Sequence, residues 1–408
     1  MPRKAKRDLT IEEQLARGPI DLPFLTLVLL LLVVGLVMLL SASYPSAYYN
    51  LDSAVNTHGN PYYYFRRQAI FAVLGLGVMF VISKIDYQRF RWMSVFVLGG
   101  SIVLMLMVFT PLGRAVGVAR RWLVIFGIRF QPSELAKVGV IMFFAARLSK
   151  RRDQLREPKK WNRRTLTGRL GEFFDRIGLL ELIPYGLVLV LVLGILALQH
   201  HMSGMILITI GAVSVLFASG IRLGWFAAGG AVVTAAFTYI VMNTNYMTVR
   251  INAWRDPMSD LQGSGYQLYQ SQIAIGSGGL LGLGLGNGKQ KFLFLPEEHN
   301  DCIFAIVCEE LGLVGALVII LLFALLIIRG YWLALHARDR FGTLLIVGIN
   351  TLFAAQVILN IAVVTGTIPT TGISLPFFSY GGTALLIQLA EMGIILSVSR
   401  QIPAARAG

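Results

Sequence analysis

The segment Leu295-Pro296-Glu297-Glu298-His299-Asn300-Asp301 places three carboxylates and an imidazole directly before a long apolar run. A carboxylate in that position has two readings. Asn300 or Asp301 can cap the helix that follows, because a helix N-terminus favours an oxygen acceptor and negative charge. Asp301 can instead serve as a general base or metal ligand where the chain meets the membrane surface. His299 and its flanking acids match no known metal-ligand spacing. Both readings stay open on spacing alone.

A second set lies in Phe130-Gln131-Pro132-Ser133-Glu134-Leu135-Ala136-Lys137. Pro132 and Ser133 read as a helix start, which makes Glu134 and Lys137 neighbours at i,i+3 on one face. They can anchor a span as an ion pair, line a substrate cavity, or do both. Glu309-Glu310 falls about two turns into an apolar run, where adjacent acids need partners or water; basic residues on neighbouring helices are the expected partners. The glycine-rich stretch Gly276–Gly288 lacks the GK[ST] ending of a phosphate-binding loop and follows no strand, so it reads as a loop or broken helix. His200 and His201 with Ser203 read as a polar turn. Cys302 and Cys308, the two cysteines, form no disulfide framework and no metal spacing.

The elements that hold these residues follow from composition. Of 408 residues, 56% are apolar before the 42 glycines are counted, and 14% are charged. Soluble domains run at roughly 45–50% apolar with glycine included and about 25% charged. The mean hydropathy is +0.68. The chain is expected to be an all-α integral membrane protein, and apolar runs of bilayer length divide it into ten transmembrane helices. These are Leu22–Leu40, Gln68–Ile82, Met93–Thr110, Ser133–Leu148, Leu179–Leu198, Met205–Gly220, Trp225–Met242, Ile303–Ile328, Thr343–Val364 and Thr383–Val398. Glycines within spans, such as Gly75 and Gly77, suit close helix approach. The first apolar run is too long for a cleavable signal peptide.

The formal charge of +15 would suit a nucleic-acid partner, but its distribution argues for topology and for anionic lipid headgroups. With the basic N-terminus inside, 25 of the 36 Lys and Arg fall on the cytoplasmic side, eleven of them between Arg147 and Arg176. The organisation is then a cytoplasmic tail at 1–21, a membrane domain at 22–400 and a cytoplasmic tail at 401–408. Within it lie a basic cytoplasmic loop at 147–178 and a large extracytoplasmic segment at 243–302. The last is too long for a simple connection, so chemistry is expected on the outer face. Two shorter outer stretches are Ser41–Phe65, whose tyrosines suit an interfacial belt, and Pro111–Pro132, whose apolar part to Phe130 can lie along the interface.

Three stretches together resemble the shape, elongation, division and sporulation family of bacterial membrane proteins. They are Ala119-Arg120-Arg121-Trp122 with Gln131–Lys137, the segment Gly263–Gly315, and Gly366–Gly382, which reads GTIPTTGISLPFFSYGGT. GLGLGNGKQKFLFLPEEHND is closer to the division and sporulation branches than to the elongation branch. The chain departs from common patterns at Cys302, where an aromatic is more usual, and at His200–Gly204, where many relatives carry an acidic Pro-Asp-type turn.

The resemblance implies a ten-span peptidoglycan glycosyltransferase of the cell membrane and division septum. Its substrate would be lipid II, and its partners a class B penicillin-binding transpeptidase, other division proteins and membrane lipids. By correspondence Asp301 is the base for the acceptor hydroxyl. Arg120, Arg121 and Lys137 are candidates for the charge on the departing diphosphate, with Glu134 positioning Lys137. Gln131, Glu297, His299 and Ser379 complete the substrate-contacting candidates. No cofactor is certain; a divalent cation, Mg2+ or Mn2+, is compatible. The alternatives are a transporter that flips lipid II and a non-catalytic scaffold of the division machinery.

Overall fold

The computed structural model describes residues 18–402 apart from 50–56, 117–118, 126–127, 151–178, 222–223, 232–237, 239–244, 261–262, 264 and 293. Helix α1, Leu22–Tyr48, starts where the side chain of Asp21 accepts a hydrogen bond from the Phe24 N–H at 3.0 Å, with proline in the first turn. It runs past the expected end at Leu40 and carries Pro45 within it, so Ser41 and Ser46 belong to the helix and not to an outer loop. Helices α2 (Tyr63–Lys84), α3 (Phe90–Met107) and α4 (Pro132–Leu148) follow, with proline opening α4 as expected. Next come α5 (Leu179–Leu198) and α6 (Met202–Ala218). Two short helices, α7 (Asn245–Arg255) and α8 (Tyr266–Ser277), precede α9 (Ile303–Leu335), α10 (Arg340–Val364) and α11 (Gly382–Ser399). Every expected span has its helix except the seventh, which is helical over 224–231 and at 238 and otherwise falls outside the described residues. Most of the basic loop 147–178 also falls outside them.

Six of these helices are long and apolar enough to cross a bilayer. Their outward faces agree: Leu313, Leu317 and Leu321 form a stripe on α9 that is 51%, 54% and 56% exposed, which only a lipid environment accommodates in a folded protein. The protein is a multi-pass membrane protein. At its centre α2 lies along α11, where Gly75 faces Leu389 and Gly393 faces the backbone of Met79. Small residues there let two backbones approach, which is how helices associate in lipid. Gly77 has open space instead.

The stretch after α3 adds a three-stranded antiparallel sheet to the helices, made of β1 (Gly113–Val116), β2 (Ala119–Ile125) and β3 (Ile128–Phe130). Gly113 pairs with Leu123, and Leu123 with Phe130. The run Trp-Leu-Val-Ile is β-branched and aromatic, which suits a strand as well as an interface.

The eighth span is not one continuous helix. Gly312, at φ 68° and ψ −170°, breaks α9 two turns from its start. The glycine-rich turn after α8 fills the break. Leu283 and Gly284 N–H groups donate to the carbonyls of Glu309 and Glu310, and Leu313 and Val314 N–H groups donate to those of Gly279 and Leu280, all at 2.9–3.1 Å. Backbone freed inside a bilayer must be satisfied from within the protein, and here it is. The same turn supplies the partners of the two acids. Lys289 N–H donates to Glu309 at 2.7 Å, while Lys291 Nζ pairs with Glu310 at 2.6 Å and Ser41 Oγ donates to it at 2.7 Å. The counter-charge therefore comes from the loop and not from a neighbouring helix.

Candidate functional site

The turn before α9 is shaped by Glu297, which sits at φ 55°. Asn300 N–H and Cys302 N–H both donate to the Glu297 carbonyl, and Asn300 Nδ2 donates to its carboxylate at 2.6 Å. The first residue flanking α9 is Cys302, with no side-chain cap, so the capping reading of Asn300 and Asp301 does not hold. Asp301 is left for another task.

The Gly366–Gly382 stretch supports this turn from behind. Ser379 Oγ donates to the Asn300 carbonyl at 2.7 Å and accepts from Leu375 N–H, and Tyr380 N–H donates to the His299 carbonyl at 2.9 Å. From α10, Asn360 Nδ2 donates to the carbonyls of Asp301 and Ile373 at 2.8 and 2.7 Å. His299 stacks on Tyr64 with ring centroids 4.5 Å apart and lies 3.1 Å from Glu298, whose carboxylate also accepts from Ser46 Oγ. Ser379 and His299 thus hold the backbone and the rings that fix Asp301. Asn360 and Tyr380 have the same task, and nothing in their spacing marks it.

The Asp301 carboxylate is half-buried and makes no hydrogen bond among the described residues. Burial, and then the charge of Glu297, push its pKa up to about 6, against the pull of Arg121, Arg250 and His299. A carboxylate poised there is ionised at neutral pH and basic enough to accept a proton.

The cationic side is built from β2, α4 and the turn between α5 and α6. Arg121 donates to the His200 carbonyl at 2.6 Å, and Gln131 Nε2 lies 3.2 Å from His201 Nε2. Lys137 pairs with Glu134 at 2.7 Å, the lysine almost fully buried. His201 is held neutral: burial, then Arg121 and Lys137, lower its pKa to about 3. The His200-His201 turn is therefore the scaffold of Arg121 and Gln131, more than a polar turn. Arg120 is exposed and pairs with Ala115 of β1, next to the bulge at which Arg121 sits.

Two further groups escape a sequence reading. Arg250, on α7, acts on Asp301 and carries no motif that would mark it. Glu391 lies inside α11, 2% exposed, and the charges it feels are those of Lys137 and Glu134. An acid within an apolar span was the available signal.

An outcome follows for the ion pair. Lys137→Ala leaves Glu134 buried without its partner, which costs about 3–5 kcal/mol for a pair of this kind. The expected result is a marked loss of thermal stability in detergent, partly restored by the double variant Glu134→Gln/Lys137→Ala. An unchanged melting temperature for Lys137→Ala would show that the pair anchors nothing.

The chain matches the FtsW/RodA/SpoVE cell cycle protein family over residues 22–403. It is 38% identical over 386 residues to a protein of Geobacter sulfurreducens named probable peptidoglycan glycosyltransferase FtsW, covering 94% of this chain and 96% of that one. It is 36% identical over 381 residues to stage V sporulation protein E of Bacillus subtilis, covering 93% and 97%. Among solved structures, the rod shape determining protein RodA of Thermus thermophilus superimposes with a TM-score of 0.63 at 25% identity, over 95% of this chain and 98% of that one. A chain from a peptidoglycan synthase complex that coordinates polymerisation and crosslinking gives 0.70 at 26% identity, over 94% and 98%. This multi-pass membrane protein belongs to the FtsW/RodA/SpoVE family of cell cycle proteins.

Proposed function

We propose that this protein is a peptidoglycan glycosyltransferase that polymerises lipid II into glycan strands at the division septum, with a class B penicillin-binding transpeptidase as partner. The observation that carries the reading is Asp301, a half-buried carboxylate with a pKa of about 6 in a turn braced by Ser379, Tyr380 and Asn360 and facing Arg121. Asp301 takes the proton of the acceptor hydroxyl as that oxygen attacks the donor anomeric carbon. Direct displacement inverts an α-linked donor to a β-linked glycan. Arg121 and Lys137 meet the negative charge of the leaving diphosphate. The relatives' names and the synthase-complex neighbour support the reaction and the partner. The test is glycan synthesis from lipid II by the purified complex; no polymer under conditions where the partner crosslinks added glycan would overturn the reading.

Among the described residues no three His, Cys, Asp or Glu side chains converge on one ion position. The second reading, a lipid II transporter, is favoured by one observation, the Glu134–Lys137–Glu391 group inside the helices.

The reaction needs the Asp301 end outside, with both termini and 147–178 inside, as the basic residues suggest. Met258 is exposed beside α7, Arg338 is exposed in the turn between α9 and α10, and both native cysteines are buried. A membrane-impermeant maleimide is expected to label Met258→Cys in intact cells and Arg338→Cys only after permeabilisation. The reverse pattern would put Asp301 on the wrong side for cell-wall chemistry.

A further inference from the structure

Helix α7 is fixed against the Gly366–Gly382 stretch at two points. Arg250 Nη1 donates to the Thr370 carbonyl at 2.8 Å, and Trp254 Nε1 donates to the Gly366 carbonyl at 2.7 Å. Thr370 is two residues from Gly372, whose absent Cβ would lie 3.1 Å from Asp301 Oδ2. Arg250 is thus anchored to the strand of chain that abuts the carboxylate. Arg121, on β2 and held by the His200 carbonyl, exerts its charge on the same carboxylate. Two guanidinium groups from unrelated elements thus bear on Asp301, and Arg250 is tied to the chain beside it.

The reaction's own geometry says what they face. The base must lie about 2.6–3.2 Å from the hydroxyl it deprotonates. That oxygen must lie about 3–3.5 Å from the carbon it attacks. The leaving phosphorus is one bridging oxygen beyond that carbon, which puts it within roughly 8–9 Å of the Asp301 carboxylate. A long cationic side chain whose charge reaches Asp301 can extend across that span to the first phosphate. Lys137 instead acts on His201 and Glu391.

We propose that Arg250 and Arg121 form a clamp on the sugar-linked phosphate of the polyprenyl-diphosphate donor, with Lys137 left to the distal phosphate. The inference rests on the glycosyltransferase reading. In the step itself the acceptor O–H bond breaks and its proton goes to Asp301, the new C–O bond forms, and the anomeric C–O bond breaks. The electron pair of that bond leaves with the diphosphate oxygen, whose added negative charge falls between the two guanidinium groups. Planar forked donors suit that role better than a point charge.

Arg250→Gln, assayed as the full chain with its transpeptidase partner, is expected to raise KM for lipid II or lower kcat/KM by roughly 10- to 100-fold. It also removes a cation facing Asp301, leaving Arg121 and His299 against Glu297, so the acid limb of the pH–rate profile should move to higher pH. Arg250→Lys should return the limb and recover only part of kcat/KM. Trp254→Phe controls for docking of α7 and should leave the limb in place. A folded Arg250→Gln with unchanged kcat/KM and limb would overturn the clamp, as would a Trp254→Phe that reproduces both effects. Asp301→Asn run in parallel separates the two levels. If it polymerises normally the enzyme reading fails, whereas an inactive Asp301→Asn beside a normal Arg250→Gln removes only the clamp.

Discussion

Asp301→Asn is expected to lower the rate of glycan polymerisation at least about a hundredfold while leaving the protein folded, inserted and able to bind its transpeptidase. Positioned proton transfer contributes about 10²–10⁴-fold to rate. Asparagine keeps the size of the side chain but cannot accept the proton. The Asp301 carbonyl, not its side chain, receives the hydrogen bond of Asn360, so the turn keeps its support.

Stability should move the other way. Asp301 in the folded protein holds its proton up to about pH 6, whereas a free aspartate releases it near 3.8. The folded state therefore binds more protons across that interval, and stability falls as pH rises through it. Above pH 6 the native aspartate carries that penalty in full and asparagine does not. Asp301→Asn should accordingly be at least as heat-stable as the native protein at pH 7.5. For the native enzyme the base must be ionised, so activity should fall as pH drops through about 6, well above an ordinary carboxylate. Near-normal glycan on a gel from the purified variant complex would remove Asp301 as the base and favour the transporter or scaffold readings. A rate limb near pH 4 would contradict its environment as described.

Much of the membrane architecture is legible in the chain, because the demand for apolar length is local and strong. The paired Glu134 and Lys137 follow from the same local rules, and the pair is present at 2.7 Å. What is not legible depends on contacts between residues far apart in sequence. Arg250 meets Thr370 and brings its charge to bear on Asp301, and His201 meets Gln131, only after folding. The break in α9 is hidden for a different reason. Ile303–Leu335 is apolar apart from its two acids and Arg329 near its end, and each of its three glycines reads as ordinary packing. Only the partner backbone at 279–284 shows that the helix is interrupted. The sheet at 113–130 is ambiguous by nature, since a short apolar run of β-branched and aromatic residues fits a strand or an interfacial segment.

Gly312→Ala is expected to have a severe structural effect. With φ at 68° and ψ at −170°, Gly312 occupies backbone space that is essentially closed to other residues, at a cost of order 1–3 kcal/mol. The added Cβ would also fall 2.2 Å from Gly282 N and 2.6 Å from the Leu280 carbonyl oxygen. Both are backbone atoms, so no side-chain rotation relieves the contact. Relief requires expelling the 279–284 turn from the break, which frees the N–H and C=O groups that Glu309, Glu310, Leu313 and Val314 now share with it. Each such group left unsatisfied in the hydrocarbon region costs several kcal/mol. Expulsion would also draw the Lys289 backbone N–H away from Glu309 and the Lys291 ammonium away from Glu310, leaving two acids without their partners inside the span. These losses together exceed the 5–15 kcal/mol by which a typical domain is stable. Gly312→Ala should fail to accumulate as a monodisperse protein in detergent. Gly77→Ala is the matched control: a helical glycine with no atom within 4 Å of the new methyl, expected to be neutral or slightly stabilising. Comparable yields and melting temperatures for the two variants would show that the turn does not hold the broken helix together.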